Sequence, residues 1–224
     1  MQIHLAETAW EVEKLLDEKG LSPVAYLADL GVLSDRTVAA HCVHVSPQDI
    51  ELLAEFEAGV SHTPVSKLKL ASGVSPVPAL IEGGVKLGLG TDGTASNNTL
   101  DLLRDMQLAA LLHKGVSGDP TVLAARTMLE LATVRGAQVL GLADRIGTLA
   151  EGRDADIICV ALDGPHTAPM YDPFSHMVFA ARAADVRHVM VGGSVVVRNR
   201  ELTTLDQERI EAQAREFSET VRPS

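Results

Sequence analysis

Four short apolar runs of the chain each end in a residue that can bind a metal ion or move a proton. His4 ends the first run, with Glu7 three residues later, and His41 ends the second. His62 ends the third run, and Asp92 follows the fourth. A lone histidine in such a run is more often a hydrogen-bonded core residue, and a lone aspartate before glycine often only forms a turn. Histidine and carboxylate nevertheless suit a hard-to-borderline divalent metal ion, so polar endings on all four runs predict a catalytic metal site with one position open for water.

Segments with the spacing of amphipathic helices lie between and after these runs. Residues 8–19 place apolar side chains on one face, and Ser46 followed by Pro47 is a typical helix start. The other predicted helices cover residues 46–58, 77–82, 100–113 and 121–140. This alternation predicts a parallel sheet covered by helices over residues 1–143. In a parallel α/β barrel the carboxyl ends of the strands form one face, so the polar endings are expected to converge.

The pattern changes near Asp144, where alternating apolar and polar residues replace the helical spacing. The runs DIICVAL, VRHVMVGG and SVVVRN predict a small antiparallel domain over residues 144–205. A polar amphipathic helix is predicted from residue 206 to about 221, so residues 206–224 are assigned to a C-terminal helix and tail.

The composition is that of a globular protein and narrows the possible partners. Of the 224 residues, 46% are apolar and 22% charged, and the net charge is −11. This acidity argues against nucleic acid and anionic membranes, which attract clusters of lysine and arginine. No apolar run approaches the ~20 residues of a membrane span, and no secretory signal is visible in the first residues. Cys42 and Cys159 do not make a disulfide framework, so the cytoplasm is the expected compartment.

The stretches around the polar strand ends carry a resemblance to a known family. HLAET, AAHCVH, SKLKLASGVSPV and LGTDGTASNN resemble the C-terminal half of an amidohydrolase-superfamily enzyme, most specifically the 5-methylthioadenosine/S-adenosylhomocysteine deaminases. RIGTLAEGRDADIICVAL resembles the segment that leads from the barrel of that superfamily back to its β-sandwich. The resemblance implies an α/β fold, a partial (β/α)8 TIM barrel made of the C-terminal strand–helix units and followed by part of a small β-sandwich domain.

The resemblance also implies a role for each polar residue. His4 matches a zinc ligand, and Asp92 matches a residue that binds the metal and accepts a proton from the attacking water. Glu7 matches a glutamate that contacts the purine and protonates one of its ring nitrogens. His41 matches a histidine that orients the attacking hydroxide, and Ser96 is expected to approach the substrate from the loop after Asp92.

The implied reaction is the hydrolytic deamination of an adenine nucleoside to its inosyl product and ammonia, with one zinc ion per complete site. A bound metal lowers the pKa of water to about 7, and protonation of the ring is general acid catalysis worth roughly 10²–10⁴-fold. Guanine-type or triazine-type aminohydrolases and chlorohydrolases use the same chemistry and are the alternatives. His44 and His62 are left with supporting or structural roles.

The chain departs from the family pattern in two places. It has no H-x-H motif, which in the family supplies two further metal ligands, and Lys67 stands where the family usually has asparagine. The chain is therefore interpreted as a fragment without that N-terminal half. Because a half barrel leaves strand edges unpaired, a homo-oligomer or a complementary N-terminal half is the expected partner, besides the small-molecule substrate. The alternative of another class is an inactive remnant that serves as an oligomerising or binding module.

Overall fold

The computed structural model of the chain describes residues 1–221, which form two compact units. The first unit comprises Met1–Arg153 and Leu162–Ala183, and the second comprises Asp154–Ala161 and the residues from Ala184 onward. The end of the predicted C-terminal tail, residues 222–224, lies outside the described residues.

Four parallel strands form the sheet of the first unit, and they are hydrogen-bonded in sequence order. The prediction that the strands ending near His4, His41, His62 and Asp92 are parallel and adjacent is confirmed. Leu5 is in register with His41, so the carboxyl ends of the strands lie at one edge of the sheet. The strands are β1 (Gln2–Leu5), β2 (Val38–His41), β3 (Gly59–His62) and β4 (Lys86–Leu89).

Several helices of the first unit begin at residues whose side chains cap them. Ser46 accepts a hydrogen bond from the Asp49 N–H, and Pro47 is the first helical residue, as predicted. Thr8 and Asp101 cap two further helices with their side-chain oxygens. The helices are α1 (Ala9–Lys19), α2 (Pro23–Asp29), α3 (Pro47–Glu55), α4 (Pro64–Lys69), α5 (Val77–Glu82), α6 (Thr94–Asn97), α7 (Leu102–Ser117), α8 (Ala125–Ala132), α9 (Val134–Val139) and α10 (Pro173–Phe179).

The prediction of a single helix at residues 121–140 was wrong, because Thr133 separates two helices, α8 and α9. Thr133 has φ −129° and ψ −96°, which interrupts the helical path. The break lets α9 run close to the sheet, where a Cβ atom on Gly88 would lie 3.0 Å from the Cα atom of Gly136. A Cβ atom on Gly59 would meet α9 at 2.9 Å. Glycine is therefore required in the strands at both points of contact.

The hydrophobic core lies between the sheet and the helices on its other face. Ala39, Val60 and Leu87, which alternate with the residues that face α9, are buried in this core. Side chains from the helices complete it, among them Leu53, Leu80, Met106 and Leu131. The core is aliphatic, in agreement with an aromatic content of only 3%, and it fixes the strand ends that carry the polar residues.

Residues 162–183 group with the first unit, whereas the sequence predicted them within the domain at 144–205. Val178 of α10 is fully buried in the core of the first unit. The Gln107 side chain on α7 donates a hydrogen bond to the Phe179 carbonyl oxygen at 2.7 Å. The apolar residues of α10 have helical spacing, and their burial against α7 and α8 places the segment there.

The second unit contains a small sheet whose neighbouring strands are all antiparallel, as predicted. Its strands are β5 (Ile157–Val160), β6 (Val186–Val191), β7 (Ser194–Arg198) and β8 (Glu201–Leu202), followed by α11 (Gln207–Thr220). A 3₁₀ turn covers Ala183–Asp185. No helix within residues 1–221 is long and apolar enough to span a bilayer.

Candidate active site at the carboxyl ends of the strands

Non-glycine residues have left-handed backbone conformations at the ends of three strands in the first unit. The φ angle is 49° at Ala6, 82° at His41, 46° at Cys42 and 64° at Asp92. Such conformations are unfavourable by roughly 1–3 kcal/mol each and concentrate at catalytic and ligand-binding sites. The surrounding structure thus holds the strand ends that carry the predicted residues in a strained geometry.

The parallel pairing of β1 and β2 brings His4 and His41 together. Their rings stack with centroids 5.2 Å apart and planes 6° from parallel. The Nδ1 atom of His41 lies 2.9 Å from the Thr63 hydroxyl oxygen. Its Nε2 atom faces the carboxylate of Glu7, 3.7 Å from Oε2. His41 is 1% exposed, so these contacts hold its ring in one orientation.

The carboxylate of Glu7 lies between His41 and Lys67. Its Oε1 atom accepts a hydrogen bond from the ammonium group of Lys67. Burial would raise the pKa of Glu7, but the hydrogen bond from Lys67 and the charges of His41 and Lys67 together outweigh burial, so the pKa is lowered. Glu7 is therefore ionised at neutral pH. The Glu7 backbone N–H donates to Glu11 Oε2 at 2.9 Å, which fixes the start of the turn after β1.

Three donors hold the carboxylate of Asp92. The hydroxyls of Ser66 and Ser96 donate to Oδ2 at 2.6 and 2.7 Å, and the Gly93 N–H donates to Oδ1 at 2.7 Å. Burial opposes ionisation, but these hydrogen bonds and the charge of His41 outweigh it and lower the pKa of Asp92 to about 2. Asp92 is accordingly a fixed carboxylate, suited to binding a metal or accepting a proton.

The protonation state of His41 depends on both carboxylates and on Lys67. Burial lowers the pKa of His41, and the positive charge of Lys67 lowers it further, against the opposing effects of Glu7 and Asp92. The imidazole is therefore neutral at pH 7 and can accept or donate one hydrogen bond through Nε2. Because β1 to β4 are parallel and adjacent, the predicted residues of β1, β2 and the loop after β4 lie at one edge of the sheet.

Sequence reasoning did not assign roles to Ser66 and Lys67, the consecutive residues of α4 that hold the two carboxylates. Ser66 is fully buried and Lys67 is 1% exposed. Ser66 donates to Asp92 and Lys67 donates to Glu7, so one helical turn connects carboxylates from two strands. The available signal was the position of SKL four residues after His62, which ends a strand, together with the departure from the family pattern at Lys67.

A buried carboxylate on α7 holds α4 and the residues after Asp92 by hydrogen bonds. Asp105 is fully buried, accepting hydrogen bonds from the Asn97 side chain at 2.9 Å and from the Val65 N–H at 3.3 Å. Asn97 also donates to the Thr91 carbonyl oxygen at 2.7 Å. Burial raises the pKa of Asp105 despite these donors. Asp105 thus connects α4 to the loop that carries Asp92, a contact that sequence reasoning missed.

The histidines without an assigned catalytic role make other contacts. The Nε2 atom of His62 lies 3.3 Å from that of His113 on α7, and both side chains are buried. Burial lowers the pKa of His62 to about 3 and that of His113 to about 4, so both are neutral. The Nδ1 atom of His62 has no hydrogen-bond partner among residues 1–221. The Nε2 atom of His44 lies 2.8 Å from the Ser72 carbonyl oxygen.

The donor types at this edge suit zinc, but the described part of the chain does not complete a metal site. No group of three or more His, Cys, Asp or Glu side chains within residues 1–221 is arranged to hold a metal ion. Catalytic zinc sites generally have three protein ligands and one open position. This edge of the sheet can therefore contribute ligands such as His4 and Asp92, and a complete site needs further ligands.

Comparison with known proteins shows a family match over most of the chain. The model of the amidohydrolase family matches residues 1–196. The chain is 47% identical over 221 residues to a protein of Syntrophobacter fumaroxidans named 5-methylthioadenosine/S-adenosylhomocysteine deaminase, and this match covers 99% of the chain and 50% of that protein. A protein of the same name from Desulforudis audaxviator is 47% identical over 96% of the chain and 50% of its own length. The chain therefore spans about half the length of the curated relatives it matches.

Solved structures resemble the chain in the same way. A crystal structure of an adenosine deaminase from Xanthomonas campestris with bound zinc has a TM-score of 0.95 and 40% identity, covering 99% of this chain and 50% of that one. The structure of an atrazine chlorohydrolase from Arthrobacter aurescens complexed with zinc has a TM-score of 0.90 and 32% identity, covering 96% and 48%.

Proposed function

The chain belongs to the amidohydrolase family, and from this membership we propose that it forms one half of the active site of a zinc-dependent hydrolytic deaminase. The proposed reaction converts 5-methylthioadenosine and S-adenosylhomocysteine to their inosyl products and ammonia. The observation that carries this proposal is that Glu7, His41 and Asp92 lie at one edge of a parallel sheet. Relatives that are 47% identical and named for this activity support it.

The proposed architecture is a partial (β/α)8 TIM barrel followed by part of a β-sandwich. The parallel order β1-β2-β3-β4 with its covering helices supports the barrel part, which we assign to residues 1–143. The antiparallel strands β5–β8 support the sandwich part, which we assign within residues 144–205 except for residues 144–153 and 162–183, which group with the first unit. The C-terminal helix and tail at 206–224 follow it. In such a barrel the carboxyl ends of the strands form the catalytic face.

Asp92 and His41 are proposed to act on the attacking water. Asp92 is ionised because Ser66, Ser96 and the Gly93 N–H hold its carboxylate, so it can accept the proton that the water loses. His41 is neutral, and Thr63 and the stack with His4 fix its ring, so its Nε2 atom can orient that water by a hydrogen bond. Both roles follow from positions that the fold holds in place before substrate arrives.

Glu7 and Ser96 are proposed to contact the substrate. The side chain of Glu7 is 24% exposed at the open edge of the sheet, and the resemblance gives it a proton transfer to a ring nitrogen of the purine. Because Glu7 is ionised at neutral pH, its carboxylate must first take up a proton from the solvent. The ring needs this proton because water adds to its C6 atom and interrupts the aromatic system. Ser96 lies in α6, directly after the loop that carries Asp92, and donates to Asp92, which supports a position beside the reacting atoms.

His4 and Asp92 are proposed as the ligands that this chain contributes to one zinc ion per complete site. Zinc would supply the polarisation that makes water a nucleophile at neutral pH. The ligand set is incomplete within residues 1–221, so further ligands must come from a complementary N-terminal half or from another copy of the chain. A homo-oligomer or such a half is therefore the proposed partner, and a cytoplasmic location stays a prediction.

Two other functions remain as alternatives, each with a specific observation. A triazine-type hydrolase is favoured by the similarity to atrazine chlorohydrolase, although the 32% identity is lower than that to the deaminases. An inactive module for oligomerisation or binding is favoured by the incomplete ligand set. The deaminase is preferred because the relatives that are 47% identical are named for that activity.

The proposal is tested by zinc content and ammonia release. We expect the purified chain to hold substoichiometric zinc and to release no measurable ammonia from 5-methylthioadenosine or S-adenosylhomocysteine. Co-expression with the N-terminal half of the Syntrophobacter fumaroxidans relative, chosen to carry H-x-H, is expected to give activity that Asp92→Ala abolishes. Full zinc occupancy and turnover by the chain alone would contradict the ligand assignment. Zinc binding by the complemented protein without ammonia release would favour the inactive module.

A further inference from the structure

Lys67 departs from the family pattern at a position that touches the proposed proton donor. The family usually has asparagine there, whereas this chain has a lysine whose side chain is 1% exposed. The ammonium group of Lys67 donates a hydrogen bond to Glu7 Oε1, and within residues 1–221 this is its one hydrogen bond. An asparagine side chain carries no charge. The chain therefore has a buried positive charge where the family usually has a neutral amide.

The carboxylate of Glu7 is surrounded by groups from four elements. Lys67 reaches it from α4, and the Nε2 atom of His41 on β2 lies 3.7 Å from Oε2. The charge of His4 on β1 acts on Glu7 as well, and Glu11 on α1 accepts the hydrogen bond of the Glu7 backbone N–H. Burial would raise the pKa of Glu7, but Lys67 and the two histidines together lower it. Of these three groups, Lys67 alone hydrogen-bonds the carboxylate within residues 1–221.

The ion pair opposes protonation of Glu7 in two ways. A hydrogen bond between an ammonium and a carboxylate is charge-assisted, so it weakens when the carboxylate takes up a proton. The ammonium group of Lys67 would then be buried without a charged partner, which is strongly unfavourable. The proposed reaction nevertheless requires Glu7 to carry the proton that it passes to the substrate ring. The ion pair therefore acts against the form of Glu7 that the reaction needs.

We propose that Lys67 sets the pH range of the reaction by opposing the protonation of Glu7. Lys67 is a positioning residue, which acts through Glu7 and needs no contact with the substrate. The protonated form of Glu7 becomes rarer as the pH rises, and the charge of Lys67 moves this change to lower pH. A general acid works only in its protonated form, so the rate at neutral pH is lower than it would be beside a neutral side chain. The inference rests on the proposed function, which gives Glu7 the proton transfer.

The first test follows the titration of Glu7 in the unaltered chain by carbon-13 NMR of the glutamate carboxyl groups. The Glu7 signal is identified by its absence in Glu7→Gln. We expect its titration midpoint to rise by at least about half a pH unit in Lys67→Asn and in Lys67→Met, because both remove a charge that contacts the carboxylate. Lys67→Arg keeps the charge and is expected to keep the midpoint of the unaltered chain. A midpoint that is the same in the unaltered chain and in both uncharged variants would overturn the inference.

The second test measures kcat/KM of the complemented protein with 5-methylthioadenosine. At pH 8 both uncharged variants are expected to raise kcat/KM by about 3-fold or more, which is half a pH unit expressed as a ratio. Lys67→Arg is expected to leave kcat/KM near that of the unaltered protein. A merely structural role of Lys67 predicts a loss in all three variants, so a loss or no change in both uncharged variants would contradict the proposal.

Lys86→Met is the matched control for the removal of a paired ammonium group. Lys86 also pairs with a glutamate, Glu57, at 2.7 Å, but at the exposed start of β4. Lys86→Met is expected to keep both the Glu7 midpoint and kcat/KM. A rise in kcat/KM as large as that of Lys67→Met would show that the effect does not depend on the contact with Glu7, and would overturn the inference.

The two proposals fail in different ways. A complemented protein that releases ammonia, and in which neither uncharged variant raises kcat/KM, overturns this inference and leaves the deaminase function standing. A Glu7 midpoint that rises in the uncharged variants of a protein that never releases ammonia when complemented supports the effect of Lys67 on Glu7 and overturns the deaminase function.

Discussion

The imidazole rings of His4 and His41 lie face to face, with centroids 5.2 Å apart and planes 6° from parallel. The residues belong to neighbouring parallel strands, at positions one step apart in the register. The stack orients His4 toward the same edge at which Glu7 contacts His41. It therefore connects the proposed zinc ligand to the residues proposed to act on water and substrate.

The stack leads to a prediction about His4. Because His4 is exposed, His4→Ala and His4→Phe are each expected to change the free energy of unfolding by less than about 1 kcal/mol. In the complemented protein both variants are expected to lose most of the bound zinc, because phenylalanine restores the ring but has no ligand nitrogen. Urea unfolding and elemental analysis measure the two effects. Zinc retained by His4→Phe would show that His4 is not a ligand.

A second prediction concerns the buried pair His62 and His113. Their pKa values are about 3 and about 4 in the folded chain, against about 6.5 in the unfolded chain. The free energy of unfolding therefore has its full value above pH 6.5. Below that pH the unfolded chain binds more protons than the folded chain, so the free energy of unfolding falls as the pH falls towards these values. The expected loss is roughly 1 kcal/mol per pH unit for each histidine.

Urea unfolding at pH 7, 6 and 5 measures this dependence. His113→Gln removes one titrating group and leaves an amide that can hydrogen-bond His62, so the slope of stability with pH is expected to fall. His41, whose pKa is also lowered, contributes in the same direction and remains in this variant. Stability that does not change between pH 7 and pH 5 would contradict the neutral buried pair.

A third prediction concerns Asp105. Asp105→Ala leaves the Asn97 amide and the Val65 N–H without their acceptor in a buried place, and it is expected to destabilise the chain by about 2–4 kcal/mol. Asp101→Ala is the control, since Asp101 caps the same helix at an accessible position, and about 1 kcal/mol is expected there. Chemical denaturation compares them. Equal effects would mean that the link between α4 and the loop carrying Asp92 adds little.

A fourth prediction compares two glycines. Gly88→Ala places a Cβ atom 3.0 Å from the Cα atom of Gly136, and the overpacking is expected to destabilise the chain by about 1–3 kcal/mol. Gly115 lies inside α7, with nothing within 4 Å of its Cβ position. Gly115→Ala is therefore expected to be stabilising by up to about 1 kcal/mol. Thermal or urea unfolding decides, and a neutral Gly88→Ala would show that α9 can move away from β4.

Local patterns allowed much of the fold to be predicted. Apolar runs with polar endings predicted the four strands, and their parallel order followed because each run is separated from the next by a helical segment. Ser46 and Pro47 predicted a helix start that the structure confirms. These features depend on neighbouring residues, so spacing and capping chemistry were sufficient. The division of α8 from α9 at Thr133 was missed because it depends on how closely α9 packs against β4.

The candidate site, like the fold, was predicted from the sequence only in part. The residue types at the strand ends, and the resemblance, were enough to select His4, Glu7, His41 and Asp92 and to suggest a zinc-dependent deamination. The contact of Lys67 with Glu7 and the connection of Asp105 to the loop of Asp92 required the folded chain. The physical reason is separation along the sequence: a salt bridge between residues 7 and 67 depends on the direction in which α4 leaves β3, and core packing sets that direction.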